Sequence, residues 1–291
     1  MDMKNNGQNL AVFDIGGTAV KYGLWDGEKL LNNASFKTPH TFEMLTEKMG
    51  SIIRDYPPVK GIAISSPGAV NTMKRRIEGI SAVPYLHNRP IFDEIEQCFD
   101  LPVAIENDAN CAGICEMEIG AGKTIEHGLF VVIGTGVGGA LFINRKLYKG
   151  AHLFAGEFGL MLPNKNETLS KVATAVNRAA LYSQETGDVI DGKELFRRAN
   201  NQDLVARKLL DQMYEDISCA LYNLQVAIDP QMIMIGGGIS AQEEVIDEIK
   251  IRLYNRLKAQ TVEAIMPEVV ACQYQNEANL FGAAFHFLQQ H

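Results

Sequence analysis

Side chains that can move a proton crowd one short stretch of the sequence. It runs Glu106-Asn107-Asp108-Ala109-Asn110. The stretch follows the apolar run Val103–Ile105 and precedes a predicted helix, where a single Asn or Asp would suffice as an N-cap. A carboxylate in such a turn can accept a proton from a substrate hydroxyl. Phosphoryl transfer needs little more from a protein than such a base, positioning and a metal-bound nucleotide.

Glycine clusters are the second feature with chemical potential. The chain has 26 glycines, and many fall in three clusters, Gly16-Gly17, Gly134–Gly139 and Gly236–Gly238. A glycine-rich turn between two strands can aim several backbone N–H groups at a phosphate, because no side chain stands in the way. One such turn alone is typical of a tight hairpin. Two similar turns and a third cluster after a buried strand indicate phosphate binding.

Polar residues beside the first two clusters extend this chemistry. Asp14 ends the strand before the first turn and can order a water molecule on Mg²⁺. Thr18 and Thr135 add hydroxyl donors. Lys21 is either a cation for the phosphates or a solvated strand residue, and the sequence leaves both open.

Two literal motif matches point to the wrong chemistry. Gly134–Gly139 fits the dinucleotide pattern G-x-G-x-x-G, but that interpretation requires a helix to follow, and Ala140–Ile143 has the composition of a strand. Gly120–Thr124 resembles the end of a Walker A loop. Met117 stands where that loop requires a glycine, and a strand follows, so we interpret the segment as a surface turn.

The elements that must position these residues show an internal repeat. A strand at 10–15, a glycine turn, a strand at 20–25 and a polar turn follow one another, and the same layout recurs from 129 to 146. The repeat predicts two similar sheets that face one another. Further strands are predicted at 61–66, 103–105 and 232–235, and helices at 41–55, 91–99, 109–119, 168–186, 193–228 and 241–258.

Composition narrows the class of protein. With 291 residues, 46 % apolar and 21 % charged, the chain is predicted to be an ordinary globular protein of about two domains. Its 27 basic and 35 acidic residues give a net charge of −8, which argues against a nucleic-acid partner. Apolar runs are far shorter than the roughly 18 residues of a membrane helix, and no secretory signal is visible, so we expect a cytoplasmic protein with no membrane partner. Five scattered cysteines predict buried free thiols.

Five motifs, taken in order, resemble the ROK family of sugar kinases. They are Asp14–Thr18, Glu106–Asn110, Gly134–Gly139, Ala155–Gly159 and Gly236–Ile239. The resemblance covers about residues 10 to 288. It implies an α/β fold of two RNase H-like domains, as in the actin, Hsp70 and sugar kinase superfamily, with a central cleft for ATP and Mg²⁺. It also implies phosphorylation of a hexose hydroxyl, usually at C6, and a homodimer.

The resemblance further implies domain limits and residue roles. The smaller domain would span 1–118, completed by a C-terminal helix at 278–291, and the larger one 119–277. Asp108 matches the catalytic base. Residues that match the sugar site are Gly68, Asn71, Asn107, Asp108 and Glu157. Residues that match the nucleotide site are Asp14, Gly16, Gly17, Thr18, Thr135, Gly136, Gly138, Gly237 and Gly238, to which we add Lys21 as the candidate cation.

A departure from the family pattern bears on the substrate. Many members have a His directly after the Gly of Glu-x-Gly, followed by a zinc-binding cysteine cluster. Here Leu160 takes that position, and residues 161–180 contain neither Cys nor His, so no zinc site is expected. In the family, that His and a Glu supported by the zinc segment reach the anomeric end of the sugar. The resemblance therefore implies that Leu160 and the different loop remove polar contacts at C1, so that a substituent on O1 would be tolerated. The chain is accordingly most similar to the zinc-less β-glucoside kinases, which phosphorylate the 6-hydroxyl of cellobiose and related β-glucosides.

Three alternatives remain at this stage. A glucokinase or an N-acetylmannosamine kinase of the same family is the runner-up. A sugar-responsive transcriptional regulator would carry a DNA-binding domain in front, and the 13 residues before Asp14 leave no room for one. A non-catalytic sugar-binding scaffold is disfavoured, because the candidate base and the phosphate turns are intact.

Overall fold

The computed structural model describes residues 9–164 and 166–291, which form two compact units. The first unit contains the described residues up to Glu118 together with Asn276–His291, and the second is Ile119–Gln275. The chain therefore leaves the first unit, builds the second and returns. Within the described ranges, no helix combines the length and the apolar character that crossing a membrane requires.

Strands and helices alternate along most of the chain. The strands are β1 Leu10–Ile15, β2 Ala19–Trp25, β3 Leu30–Lys37, β4 Gly61–Ser66, β5 Ala69–Asn71, β6 Arg76–Glu78, β7 Val103–Asn107, β8 Gly128–Ile133, β9 Val137–Ile143, β10 Lys146–Leu147, β11 Met232–Gly236 and β12 Glu268–Ala271. The helices are α1 Phe42–Arg54, α2 Ile91–Phe99, α3 Asp108–Glu118, α4 Leu169–Val172, α5 Ala175–Thr186, α6 Gly192–Asn200, α7 Leu204–Ile228, α8 Glu243–Ala259 and α9 Ala278–Gln290. Short 3₁₀ turns lie at Pro84–Leu86, Phe158–Leu160, Gly238–Ala241 and Glu263–Ile265.

The two units contain sheets of the same topology. The first sheet has the order β3-β2-β1-β4-β7 and the second the order β10-β9-β8-β11-β12. In each, the first three strands pair antiparallel and the last three pair parallel. The internal repeat predicted from the glycine turns is therefore confirmed as a repeated sheet.

The central strand of the first sheet is buried on both faces, as the uninterrupted apolar run of β1 requires. Phe13 and Ile15 point into one core with Leu45 of α1, while Leu10 and Val12 point into another. This second core is closed by α9, through apolar residues that include Leu280, Ala283, Ala284 and Phe287. Strand alternation thus gives the first sheet one face under α1 and α2 and one face under α9.

The second unit packs around the long helix α7. Leu209, Met213 and Leu221 are almost fully buried beside the strand residues Leu129 and Ile233. Together with the buried Ile217 and Leu224, the α7 residues recur every three or four positions, which is the spacing of one helix face. The face accounts for the length of α7, because each turn contributes to the same core.

Two predicted helices are interrupted in the structure. The helix expected at 168–186 is divided into α4 and α5 at Ala173-Thr174, where the Thr174 side chain accepts the N–H of Asn177. The helix expected at 193–228 is divided into α6 and α7, and Asp203 caps the second by accepting the N–H groups of Val205 and Ala206. Both continuous predictions were wrong, because a strong N-cap begins a new helix inside each apolar pattern.

The cysteine prediction is confirmed in part. The cysteines are free, and Cys111 and Cys115 are buried one turn apart on α3. Cys98 near the end of α2 is exposed, so the prediction of a buried thiol was wrong there. Cys219 and Cys272 are half-buried.

Candidate active site

Polar side chains gather where the parallel strands of the first sheet end. In the strand register, Asp14 lies opposite Ser65, and Ser65 lies opposite Glu106. The preceding row on the same face is Val12, Ala63 and Ala104, which belong to the core under α9. The carboxyl ends of parallel strands share one edge of the sheet. The three polar residues therefore lie side by side there, one pleat beyond the apolar row.

Asp108, the candidate base, is the first residue of α3 and follows β7 directly. Its side chain is half-buried, and its Oδ1 accepts the N–H of Ala109 at 2.8 Å. A helix N-terminus carries partial positive charge and favours an ionised carboxylate. Asp108 thus stands at the N-terminus of α3, with one carboxylate oxygen fixed by the backbone.

The residues around Asp108 fix the turn by hydrogen bonds to one another. Oε1 of the buried Glu106 accepts the Asn107 N–H at 2.8 Å and the Asn110 side-chain amide at 3.0 Å. Oδ1 of Asn107 accepts the Asn110 N–H at 3.1 Å, and its Nδ2 donates to the carbonyl oxygen of Gly68 at 3.1 Å. The network therefore joins the base turn to the loop that contains Gly68.

The loop after β4 holds the candidate sugar residues Gly68 and Asn71. Gly68 has φ +104°, and a Cβ there would lie 2.6 Å from His87 and 2.8 Å from Ile77, so the position admits only glycine. The Asn71 side chain donates to Glu78 at 3.2 Å and accepts the Lys74 N–H at 3.0 Å. Asn71 thus shapes the β5–β6 hairpin that extends this loop.

The first glycine turn joins β1 to β2. Gly16 donates its N–H to the carbonyl of Ala19 at 3.0 Å, while Gly17 and Thr18 are exposed. A Cβ on Gly17 would lie 2.6 Å from the Cβ of Ala82, so the turn is pressed against a neighbouring loop. Lys21 donates from Nζ to the carbonyl of Asn276 at 3.1 Å, which ties this candidate cation to the segment before α9.

Asp14 is the candidate magnesium residue, and only 8 % of the residue's surface is exposed. Its Oδ1 accepts two hydrogen bonds, from Ser65 Oγ at 2.7 Å and from Asn279 Nδ2 at 3.1 Å. Among the described residues, no side chain donates to Oδ2 and no group of three His, Cys, Asp or Glu side chains could hold a metal ion. One carboxylate with one available oxygen suits Mg²⁺ that arrives on a nucleotide and keeps most of its waters.

A buried thiol, that of Cys111, lies one turn along α3 from Asp108. Burial raises the pKa of its thiol well above the usual range, and the negative charges of Glu106, Asp14 and Asp108 raise it further. Its Sγ donates to the carbonyl of Glu106 at 3.8 Å. Cys111 is therefore a protonated structural thiol.

The second glycine turn joins β8 to β9 in the second unit. The N–H of Gly134 donates to the carbonyl of Gly136 at 2.9 Å, and the N–H of Val137 donates to Ser170 Oγ at 3.0 Å. A Cβ on Gly134 would meet no described atom within 4 Å, and its φ is not positive. The packing of the described residues therefore does not require a glycine at this position. Thr135 is exposed within the turn, and Gly138 is half-buried at the start of β9.

The third cluster begins at Gly236, the last residue of β11, and lies beside the end of β8. Gly237 has φ +83°, and a Cβ there would lie 2.3 Å from the carbonyl oxygen of Ile133. Gly238 is exposed, and a Cβ there would meet no described atom within 4 Å. Gly237 is thus required by the fold, and Gly238 leaves open backbone beside it.

Glu157 and Leu160 lie on a segment that rests on β9. Cβ atoms on Gly156 and Gly159 would lie 2.6 Å and 2.1 Å from the carbonyl oxygens of Gly139 and Val137. Glu157 is exposed, and its carbonyl accepts the N–H of Leu160 at 3.1 Å. Leu160 leaves 58 % of its surface exposed. The second unit thus brings the candidate sugar ligand Glu157 next to its own glycine turn.

Three residues at these edges have no place in the sequence predictions. Ser65 and Asn279 hold Asp14, and Ser170 holds the second glycine turn. The sequence could have singled out Ser65, because its hydroxyl stands in an otherwise apolar strand. Nothing in the sequence singles out Asn279 and Ser170, since their partners are distant along the chain.

Known proteins resemble the chain over nearly its whole length. The sequence model that describes the ROK family matches residues 10–290. A β-glucoside kinase of Listeria monocytogenes is 34 % identical over 293 residues, which cover 97 % of this chain and 98 % of the relative.

Two solved structures extend the comparison. A ROK family protein from Streptococcus pneumoniae in complex with sucrose has a TM-score of 0.89 at 33 % identity and covers 97 % of this chain and 98 % of its own. A ROK family glucokinase from Streptomyces griseus in complex with glucose and AMPPNP has a TM-score of 0.78 at 27 % identity, with coverage of 95 % and 98 %.

Proposed function

Because the chain belongs to the ROK family, we propose that it transfers the γ-phosphoryl group of ATP to the 6-hydroxyl of a β-glucoside of the cellobiose type. The observation that carries the proposal is the turn at Asp108. A carboxylate at a helix N-terminus, in a turn fixed by Glu106, Asn107 and Asn110, is what a general base for a sugar hydroxyl requires.

The chemical step uses Asp108 as the base. Its carboxylate accepts the proton of the 6-hydroxyl as the sugar oxygen forms a bond to the γ-phosphorus and the bond from that phosphorus to the β,γ-bridging oxygen breaks. ADP leaves with the electron pair of the broken bond. Asn107, Glu157 and the loop from Gly68 to Asn71 are assigned to the sugar hydroxyls that orient C6.

Backbone N–H groups of the glycine turns stabilise the charge on the phosphates. The turns assigned to this task are those at Gly16-Gly17 with Thr18 and at Thr135–Gly138, with Lys21 as a cation and Gly237-Gly238 beside the adenosine. Donors that are already aimed when the substrate arrives cost no reorganisation in the transition state. Asp14 would hold Mg²⁺ through water, and the ion, when bound, neutralises phosphate charge.

The choice of a β-glucoside rests on Leu160 and on the relatives. An exposed apolar side chain beside Glu157 offers no hydrogen bond to a free anomeric hydroxyl, so a substituent on O1 loses nothing there. The name of the Listeria monocytogenes relative supports this substrate class. The relative crystallised with sucrose supports a site with room for a second sugar residue.

The test is ADP release from ATP with cellobiose, glucose and N-acetylmannosamine as acceptors. We expect cellobiose to give the highest kcat/KM and ³¹P–¹H correlation NMR to place the phosphate on C6 of the non-reducing glucosyl unit. Fast turnover of free glucose with inert cellobiose would show that the protein is a glucokinase and that the argument from Leu160 is wrong. Turnover of none of the three would count against a kinase of this class.

A matched pair of variants isolates Leu160. Leu160→His restores a polar side chain, and Leu160→Met keeps an apolar one of similar volume. We expect only Leu160→His to shift the ratio of kcat/KM values from cellobiose toward glucose, by about tenfold, the effect of one well-placed hydrogen bond.

A further inference from the structure

The helix α9 is the only helix or strand of the first unit that follows the second unit in the chain, as far as the described residues go. It packs against α3 and against the strands β1, β4 and β7. These are the elements whose ends carry Asp14, Ser65, Glu106 and Asp108. The helix therefore lies under the whole polar edge of the first sheet.

Two polar side chains of α9 face that edge from the same side of the helix. Asn279 and His286 are seven residues apart, which is two helical turns and a rotation of only about 20°. The residues around them are apolar and mostly buried, because α9 also closes a core. A polar side chain in such a face is costly unless it has a polar partner.

Asn279 reaches the candidate magnesium residue. Its Nδ2 donates to Oδ1 of Asp14 at 3.1 Å, the same oxygen that accepts the hydroxyl of Ser65. Two donors on one oxygen restrict the rotation of the carboxylate, and no side chain among the described residues donates to Oδ2. Asn279 therefore sets the orientation of Asp14.

His286 reaches the base turn from the other end of the same face. Its Nε2 lies 4.0 Å from Oε2 of Glu106, and the two side chains are 7 % and 1 % exposed. Oε1 of that carboxylate is the acceptor for Asn107 and Asn110. A group that faces Oε2 limits how Glu106 can rotate, and so keeps Oε1 aimed at the turn.

Between these two residues, α9 and α3 approach unusually closely. A Cβ on Gly282 would lie 1.7 Å from the carbonyl oxygen of Cys111. Cys111 is one turn along the helix that begins with Asp108. The close contact at Gly282 thus fixes the distance between α9 and α3, while the Asn279 and His286 side chains of α9 face the carboxylates.

We propose that Asn279 and His286 are positioning residues for phosphoryl transfer, Asn279 acting through Asp14 and His286 acting through Glu106 on the turn of Asp108. The proposal rests on the proposed kinase function. It assigns to α9 a role in the chemistry beyond its role in the core.

Asn279→Leu tests the first half, because it keeps the volume of the side chain and removes the amide. We expect kcat to fall about tenfold while the KM for the sugar stays near the value of the unmodified protein. We also expect weaker binding of a non-hydrolysable ATP analogue in calorimetry without sugar. Gln289→Met is the matched control, since Gln289 on the same helix donates to Glu118 at 3.1 Å and is exposed.

The second half is tested by rescue. His286→Leu removes the nitrogen that faces Glu106, and His286→Gln places an amide nitrogen where Nε2 stands. Both lose the imidazole ring, so a role in packing alone predicts equal losses. We expect the glutamine variant to recover most of the kcat that the leucine variant loses, at similar melting temperatures.

The outcomes separate this inference from the proposed function. If the unmodified protein phosphorylates no sugar, the kinase proposal fails. If it is active and Asn279→Leu behaves like Gln289→Met in kcat and nucleotide binding, the role of Asn279 is disproved. Equal kcat in the two His286 variants would disprove the role of His286.

Discussion

The hydroxyl of Ser65 donates a 2.7 Å hydrogen bond to Oδ1 of Asp14, and the two residues lie opposite each other in the parallel pairing of β1 with β4. The strand register alone produces this contact, since opposite residues of paired strands point to the same face. It occupies one lone pair of a carboxylate that is buried in the first unit. The polar edge of the first unit is thus built from ordinary sheet geometry.

Replacing Ser65 with alanine should expose the dependence of Asp14 on that contact. We expect a loss of about 1–3 kcal/mol in the free energy of unfolding, because a buried carboxylate loses a donor. We also expect a lower kcat. Ser66→Ala is the matched control, since Ser66 is equally buried but donates only to the carbonyl of the next residue, Pro67. Equal losses in urea unfolding would contradict the assignment.

Replacing Asp108 with asparagine should remove the base and keep its shape. We expect turnover to fall about 10²- to 10⁴-fold, with cellobiose binding in calorimetry largely unchanged. Asp55→Asn, at an exposed carboxylate after α1, should leave both quantities unchanged. Near-normal turnover of Asp108→Asn would show that another group accepts the proton.

Two glycine substitutions should separate ligand binding from folding. Gly134→Ala meets open space, so we expect a normal melting temperature and a higher KM for ATP. Gly237→Ala places a Cβ 2.3 Å from the carbonyl of Ile133 at φ +83°, so we expect a lower melting temperature. An unchanged KM for ATP in Gly134→Ala would show that the second turn does not contact the phosphates of ATP.

Gly282→Ala should be among the most destabilising single changes in α9. The new methyl group would overlap the carbonyl of Cys111, and overpacking of a buried contact costs about 1–3 kcal/mol or more. Gly50→Ala in α1 is the control, because its nearest neighbours are the movable side chains of Phe99 and Arg54 at 3.3 and 3.4 Å. Urea unfolding of both variants measures the difference.

Alkylation should distinguish the cysteines. Burial raises the pKa of the Cys111 and Cys115 thiols, and neighbouring carboxylates raise the pKa of each further, so both stay protonated at pH 8. Only the thiolate reacts, and Cys98 is exposed. We expect iodoacetamide to modify Cys98 in the native protein, and Cys111 and Cys115 only after unfolding. Peptide mass mapping reads the result, and rapid native labelling of Cys111 would contradict the structure.

Local patterns predicted much of the fold. The strand at 10–15, the helix at 42–54 and the repeated glycine turns were visible because their periodicity and turn residues lie within a few positions of one another. The α/β fold of two RNase H-like domains and the ROK resemblance are confirmed. The strand β12 was missed, since Glu268–Ala271 is too short to show any alternation.

The candidate site was predictable only in part. Asp108 and the glycine turns stand out because several unusual residues adjoin in the sequence. Asn279 lies 265 residues from Asp14, and nothing near it distinguishes one asparagine at the start of an apolar helix. Only the packing of α9 on β1 and β4 brings that amide to the carboxylate.

The route of the chain also has a consequence for synthesis. Strand β1 is made early, but its face toward Leu280 and Ala284 stays uncovered until α9 has been translated, after the whole of the second unit. During synthesis, this face of β1 therefore lacks its α9 contacts until the second unit has been translated. The hydrogen bond from Asn279 to Asp14 can therefore form only after α9 has been translated.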